Sequence, residues 1–383
     1  MITRWNWVAA ALVMLLPWGA LASQAARANN SYPSYYSHGS ATAGTVFASH
    51  CGTSTCDGCC TAPHTACDPG CCEPCTTGCC GAGCCDPCCA DSCCSGGCAP
   101  CACDRCGDPY CGGCGGRLFG LIAPSDYGFN DYISPMTNPV YFEDPRTLTE
   151  ARIIYLHHRV PIAATGGDIN LWAMQLRAAL TDRLSFIATK DGFITSTNPL
   201  INDGWADVSA GLKYNFFANY ATGTLLSAGL VYELPVGSAQ ALQGTGDGLF
   251  NVFMTGGITI GQFHWISATG FLLPTNRVEE SSLWFWSNHW DRRLGNTNLY
   301  VLAELNWYHY MGAGNSFPLP IEGGDLFNLG SIGVAGNDIV TGAFGLKAKP
   351  FDNVELGIAW EHPLTRREDV LDNRLTVDAI LRY

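Results

Sequence analysis

The chain has 383 residues, a formal net charge of −13 and only 14% charged side chains. Because an acidic chain without a Lys/Arg cluster repels phosphate, these numbers argue against nucleic acid as a partner. The length exceeds that of one ordinary domain, so a main domain with an appended segment is expected.

The N-terminus has the features of an export signal, predicted over residues 1–28. Arg4 supplies positive charge, the apolar run 8–16 follows, and small residues suitable for cleavage stand at 20–22 and 26–28. The run is too short to span a membrane, and no later segment has about 20 continuous apolar residues. The first cysteine lies far from either cleavage site, so no lipoprotein anchor is expected. The mature chain is therefore predicted to leave the cytoplasm.

Composition divides the rest of the chain into four zones. Residues 29–50 form a polar tail that is predicted to be disordered. Residues 51–114 hold all 22 cysteines. Residues 115–149 are a Pro/Gly/Asp-rich connector, interpreted as a linker or a segment of the barrel mouth. Residues 150–383 contain no cysteine and carry the strand pattern.

The cysteine-rich block has too few large apolar residues to bury a core, so its order must come from cross-links or metal. Export and an even cysteine count favour disulfides. Metal is the alternative, because the block resembles metallothionein in cysteine density and soft thiolates select zinc or cuprous copper. Cross-linking to other envelope components is a third. The candidate disulfide or metal residues are Cys59, Cys60, Cys71, Cys72, Cys79, Cys80, Cys84, Cys85, Cys88, Cys89, Cys93, Cys94, Cys98, Cys101, Cys103 and Cys106.

The last ten residues alternate strictly between two faces. One face carries Leu375, Val377 and Leu381, and the other carries Arg374 and Arg382 among other polar residues. Only helices and closed barrels can span a membrane, and a barrel strand needs apolar-out, polar-in alternation over about 9–11 residues. The pattern repeats in 206–216, 301–308 and 354–361, so we predict an all-β, closed antiparallel transmembrane barrel. The alternative is a secreted sandwich or a soluble barrel.

About twelve strands are predicted, with ten or fourteen as alternatives. They lie near 150–160, 168–180, 184–191, 205–216, 224–235, 248–260, 263–273, 281–289, 298–310, 339–349, 354–363 and 374–383. Counting back from a periplasmic C-terminus, the tight turns 181–183, 261–262 and 350–353 fall on the periplasmic side. The long links 192–204, 236–247 and 311–338 fall outside. An even count then leaves the cysteine-rich block in the periplasm.

The inward parity of these strands carries charged and polar residues of both signs. Buried charges persist only when they are paired or hydrated. The lumen is therefore expected to hold either a cross-barrel ion-pair network or a wet path, and about twelve strands make it narrow. The lumen-lining candidates are Arg177, Asp207, Lys213, Glu233, Glu304, Asn306, Glu355, Glu361, Arg374, Asp378 and Arg382.

One stretch resembles a known family. Leu180-Thr181-Asp182-Arg183-Leu184-Ser185-Phe186, followed by 203–214 with Gly211-Leu212-Lys213-Tyr214, is similar to outer-membrane barrels of the phenol-degradation meta-pathway family. The resemblance covers about a third of the barrel and implies passive uptake of small, hydrophobic or aromatic compounds. The cysteine-rich block is a departure from that family.

Catalytic signatures are weak, so no enzyme activity is expected. Outer-membrane phospholipases use a His-x-Ser pair on the barrel, but the pair here, His38 and Ser40, lies in the polar tail. His264 and Ser267 are spaced to face opposite sides of a strand. Metalloprotease, phosphate-loop and dinucleotide motifs are missing from the sequence.

These observations predict passive transport of small molecules through a gated outer-membrane barrel. The alternative is a structural envelope protein whose barrel anchors the cysteine-rich module. The expected partners are outer-membrane lipid and a small solute, together with envelope polymers or other cysteine-rich proteins in the anchoring reading. No cofactor is expected beyond zinc or copper on the cysteines.

Overall fold

The computed structural model describes residues 117–383, which form a closed antiparallel β-barrel. The signal peptide, polar tail and cysteine-rich block predicted over residues 1–114 lie outside the described residues, as do all candidate cysteines. Closure comes from pairing of the first strand with the last, in register from Glu150 with Arg382 to Arg159 with Asn373. The predicted all-β, closed antiparallel barrel is confirmed.

Fourteen strands make up the sheet. Their bounds are β1 Glu150–Arg159, β2 Asp168–Ala179, β3 Leu184–Lys190, β4 Phe193–Ser196, β5 Gly204–Trp205, β6 Val208–Asn219, β7 Thr224–Leu234, β8 Leu249–Ile260, β9 Phe263–Pro274, β10 Ser282–Arg293, β11 Leu299–Gly312, β12 Asp338–Phe351, β13 Val354–Pro363 and β14 Asn373–Arg382.

Two breaks reduce these fourteen strands to twelve positions around the barrel. β3 and β4 both pair with β2, so they are two halves of one strand interrupted at Gly192, whose φ is +120°. β5 and β6 pair with β4 and β3 in the same way. The barrel therefore has twelve strand positions, as expected. The predicted link 192–204 was too long, because it contains β4 and β5, and the predicted strand 281–289 was too short.

Side-chain burial alternates along the strands, with apolar residues outside and polar residues at most inward positions; the inward faces of β8, β9 and β10 also carry apolar residues. On β13, Glu355 and Glu361 are fully buried, while Leu356, Ile358 and Trp360 are about half exposed. This pattern is inverted relative to a soluble barrel, in which the apolar face is buried. The outer surface is thus a continuous apolar band around a polar interior.

The connections differ in length at the two ends of the barrel. One end, here called the short-turn end, has the tight connections 180–183, 220–223, 261–262, 294–298 and 352–353 together with the C-terminus. The other, the long-loop end, has the connections 160–167, 197–203, 235–248, 275–281, 313–337 and 364–372. The helices among residues 117–383 are short 3₁₀ turns, and none of them could span a bilayer.

Candidate functional site: an occupied barrel lumen

Residues 124–149, here called the plug, precede β1 and contain no strand. Both ends of the plug are tied to the C-terminal residue at the short-turn end. The Ser125 N–H donates to the Tyr383 carbonyl at 2.6 Å, and the Tyr383 N–H donates to the Thr149 carbonyl at 2.9 Å. The plug is therefore a loop that leaves this rim and returns to it.

The plug lies inside the barrel. Every residue from 132 to 149 is buried. Hydrogen bonds connect the plug to inward side chains on strands all round the wall, which is feasible only from within the lumen. These wall residues are Gln175, Arg177, Lys213, Ser227, Thr255, Ser287, Glu304, Lys347, Glu355 and Arg382.

Apolar packing fills one side of the lumen. Tyr141 of the plug stacks on Phe285 of β10 with ring centroids 5.5 Å apart, and Phe142 joins the same buried cluster. Burying these rings removes a large apolar area from water. The plug thus shares one hydrophobic core with the wall.

Buried charge pairs fill the other side, beginning at Glu143 of the plug. The Glu143 carboxylate accepts hydrogen bonds from the Arg177 guanidinium at 2.6 and 2.8 Å and from the Lys213 ammonium at 2.8 Å. Two cations on one buried carboxylate offset the cost of desolvating it. This pairing fixes the plug against β2 and β6.

From Arg177 the charges continue as a string of alternating sign around the wall. It runs through β1, β14, β13 and β12, each successive pair being 2.6 to 3.3 Å apart. The order is Arg177, Glu150, Arg382, Glu355, Lys347, Asp378 and Arg152. Neighbouring opposite charges neutralise one another where water is excluded.

Glu304 of β11 holds the middle of the plug. Its carboxylate accepts hydrogen bonds from the backbone N–H groups of Met136 at 2.7 Å and Thr137 at 2.6 Å, and from the Thr137 hydroxyl. His289 lies 2.6 Å from the same carboxylate and 3.2 Å from Asp291. An ionised acceptor for two backbone donors makes a strong, directional attachment.

The loop between β11 and β12, residues 313–337, closes the long-loop end. Asp325 of this loop pairs with Arg374 of β14 at 2.7 Å, and Arg374 also binds Glu361 at 2.6 Å. Gln243 donates to the Leu326 carbonyl at 3.1 Å. Leu326 and Phe327 are consequently buried in the lumen side of the barrel mouth.

All eleven lumen-lining candidates are buried in the structure. Lys213, Glu304 and Asp378, which a wet path would pass, are each at most 3% exposed. Lys190 also pairs with Glu233 at 2.6 Å, beside Asp207. The described lumen therefore contains the ion-pair network rather than the hydrated path, the two options left open by the sequence.

Several residues of the network were not predicted from sequence. Lys347 has the inward parity of β12 and was detectable from that signal. His289 lies within the predicted strand 281–289 but was not assigned to the lumen, and Asp291 was missed because that strand ended before it. Glu143 belongs to an aperiodic segment, so no pattern marked it.

A small apolar cavity remains where Pro139 and Val140, here called the plug tip, meet the wall and the 313–337 loop. Its volume is about 20 Å³, room for about one water molecule. Pro139 and Val140 of the plug, Leu326 and Phe327 of the loop, and Gln175 of β2 contribute to its lining. A separate open cleft of about 570 Å³ lies at the short-turn end, beside Tyr132 and Tyr220.

Two carboxyl groups in the long loops, Glu280 and Asp369, are buried; Asp369 lies 2.8 Å from the Arg367 guanidinium, whereas Glu280 has no ion pair within the described residues. Burial raises the pKa of Glu280 to about 8, and the nearby negative charges of Glu233 and Asp207 act in the same direction. Burial likewise raises the pKa of Asp369 to about 7. These loops therefore hold protons near neutral pH that an exposed carboxyl would lose.

Within residues 117–383, no three His, Asp or Glu side chains are arranged to hold a metal ion.

Several solved structures are similar to this chain. An outer membrane channel from Pseudomonas putida F1 has 12% identity and a TM-score of 0.43, covering 66% of this chain and 100% of the other. The β-domain of a Bordetella autotransporter has 10% identity and a TM-score of 0.40, covering 62% and 99%. No protein-family model and no curated protein sequence matches the chain. The function is therefore argued from the geometry of this chain.

Proposed function

We propose that this chain is an outer-membrane channel for small molecules, chiefly hydrophobic or aromatic ones, and that the described conformation is its closed state. The membrane location is supported by the apolar outer band and polar interior of the barrel. In this proposal the short-turn end and the N-terminal cysteine-rich block face the periplasm. The long loops face the outside.

The observation that carries the proposal is the separate plug in a twelve-strand barrel. Barrels of eight strands are filled by their own side chains, and diameter grows with strand number. Here the wall alone leaves space that residues 124–149 occupy. A barrel that served only as an anchor would need neither the extra width nor a strand-free insert.

The plug is also built so that it can separate from the wall. Between residues 124 and 149 it contributes no strand to the sheet, and apart from the two backbone hydrogen bonds to Tyr383 it is held in place through side chains. Moving it would leave every pairing between wall strands intact. The apolar cavity at its tip lies where a passing molecule would meet both the plug and the 313–337 loop.

The second candidate is an anchor for the cysteine-rich block, and the filled lumen favours it. Stacked rings and mutually paired charges fill the lumen, which is compatible with a barrel through which no solute passes. The block would then be held at the membrane, cross-linked by disulfides or bound to zinc or copper. Conductance separates the two candidates.

The test is single-channel recording in planar bilayers with the folded mature chain and two variants. Glu304→Gln replaces the carboxylate that accepts the Met136 and Thr137 N–H groups by a neutral amide, which is a weaker acceptor. Glu361→Gln is the matched control, because it also removes a buried lumen charge but its partners, Asn306, Thr341 and Arg374, all belong to the wall. We expect more frequent open steps in Glu304→Gln than in the wild type or in Glu361→Gln.

A further form lacking residues 29–116 tests the contribution of the cysteine-rich block. Conductance steps that appear only in this form would show that the cysteine-rich block helps to keep the channel closed. Silence from every form, in protein shown to be folded, would overturn the channel proposal and leave the anchor.

A further inference from the structure

One residue that lines the cavity at the plug tip has an amide group with an unused acceptor. Gln175 of β2 is 2% exposed and lines the cavity. Its Nε2 donates to the Pro139 carbonyl at 2.7 Å and to the Thr189 carbonyl at 2.5 Å. Since two carbonyl oxygens can be satisfied only by the NH₂ group, the orientation of the amide is fixed.

The other amide atom, Oε1, is buried and accepts no hydrogen bond within the described residues. Such unpaired acceptors are uncommon in protein interiors and call for an explanation. The polar wall neighbours that line the cavity are already engaged: Thr189 with Ser209, Lys190 with Glu233, and Asp191 with the Met174 N–H. Gln175 therefore offers a single, oriented acceptor.

A trapped water is a poor occupant for this place. Buried waters make about three hydrogen bonds, whereas the remaining lining is dominated by aliphatic and aromatic side chains. These include Ile154, Leu156, Ile169, Leu171, Ile194 and Phe327. An apolar body with one hydrogen-bond donor matches the lining better.

We propose that this cavity is the binding site of the channel for a small apolar molecule that carries one donor, a hydroxyl or an N–H group. The donor binds Gln175 Oε1, and the apolar part contacts the aliphatic lining. This inference rests on the proposed channel function and narrows its substrate class. Apolar compounds without a donor would bind more weakly.

The same site would couple binding to opening. About 20 Å³ cannot accommodate a ring, so a ligand must displace part of the lining. The wall strands are fixed by their pairing, whereas Val140 belongs to the plug and Leu326 to the 313–337 loop. Because Gln175 also holds the Pro139 carbonyl, the ligand and the plug tip share one side chain. A ligand that binds only when the plug tip has moved shifts the barrel towards its open form.

The experiment uses three matched probes and the folded mature chain. Benzyl alcohol has a donor, toluene has none, and anisole has an acceptor only. Calorimetric titration should show benzyl alcohol binding about 3- to 10-fold more tightly than toluene or anisole, the gain expected from one neutral hydrogen bond. In Gln175→Met this preference should disappear. Gln262→Met, at an exposed turn, is the control that should keep it.

A second variant covers the case in which Gln175→Met does not fold. Leu171→Phe fills the cavity from the wall, leaves the amide in place, and should abolish binding of all three probes. Equal affinities in the wild type, no binding of any probe, a preference that survives in Gln175→Met, or full binding in Leu171→Phe would each overturn the proposed site.

Conductance distinguishes failure of this site from failure of the channel. If Glu304→Gln shows open steps but the three probes bind with equal affinity, the channel proposal stands and the proposed preference for donor-bearing substrates is wrong. If the barrel prefers benzyl alcohol but never conducts, the proposed ligand site stands and the channel proposal is wrong. If both hold, benzyl alcohol should raise the frequency of open steps in the wild type more than toluene does.

Discussion

Glu143 of the plug and Arg177 of the barrel wall form a bidentate ion pair, with oxygen–nitrogen distances of 2.6 and 2.8 Å. Both side chains are buried. Paired N–H···O bonds between a guanidinium and a carboxylate fix orientation as well as distance. Since Arg177 also binds Glu150, the plug is attached to the charge string that runs around the wall.

Breaking this pair should destabilise the barrel strongly. Arg177→Met leaves Glu143 buried with Lys213 alone, and loss of one partner of a buried pair costs about 3–5 kcal/mol. The free energy of unfolding in denaturant, measured in lipid vesicles, should fall by that amount. Arg159→Met, at an exposed position of β1, is the control and should change it by less than about 0.5 kcal/mol. Equal effects would contradict the buried pairing.

Hydrogen exchange should detect the attachment of the plug separately from global stability. The N–H groups of Met136 and Thr137 donate to Glu304, so Glu304→Gln should speed their exchange while the central amides of β8 and β9 remain protected. Glu361→Gln should leave the two plug amides unchanged. Uniform acceleration in all strands would instead show that Glu304 stabilises the whole barrel and not the plug in particular.

Stability of the long-loop end should fall as pH rises. The native pKa of Glu280 is about 8, above the ordinary 4.5. Between these values the native state keeps a proton that the unfolded state has lost, so stability decreases with pH over this window and levels off above it. Its surroundings include Glu233, Asp207 and Asp247, with Lys190 as the opposing charge.

Limited proteolysis of the 275–281 connection at pH 6 and pH 9 checks this dependence. Cleavage should be faster at pH 9 in the wild type, and Glu280→Gln should reduce the difference. Glu279→Gln, at the exposed neighbouring position, should retain it. Identical cleavage rates at both pH values in the wild type would refute the buried, protonated carboxyl.

A charge placed on the outer band tests whether the barrel lies in a membrane. Phe344, in the middle of β12, is 74% exposed. In a bilayer, Phe344→Arg should cost about 2–4 kcal/mol of folding free energy near the midplane. Phe344→Leu is the control and should cost far less. If both variants fold equally well in vesicles, the strand does not face lipid at this point.

Thiol titration tests the predicted disulfides. The purified, non-reduced mature chain should show almost no free thiol among its 22 cysteines. Reactive thiols accompanied by bound zinc or copper would favour the metal reading, and thiol-sensitive oligomers would favour intermolecular cross-linking. The prediction depends on export to an oxidising compartment.

The barrel wall was largely predictable because its signal is local. Side chains in a strand alternate with a period of two, so a lipid-facing strand shows its two faces in ten residues. The strand 354–363 was predicted at its observed bounds, and the inward parity of Glu355 and Glu361 followed directly. Errors arose where the pattern is interrupted, as at Gly192, whose backbone breaks one strand into β3 and β4.

The sequence by itself determined the closed barrel, its inward charges and tight turns such as 261–262, because each depends on neighbours within one strand or one connection. Only the tertiary structure decided what the inward charges do. Residues 124–149 have no periodicity, and Glu143 acquires Arg177 and Lys213 as partners only when the closed wall brings β2 and β6 around it. Burial in a water-excluded lumen then makes those contacts obligatory, since an unpaired charge there would be far more costly than one in solvent.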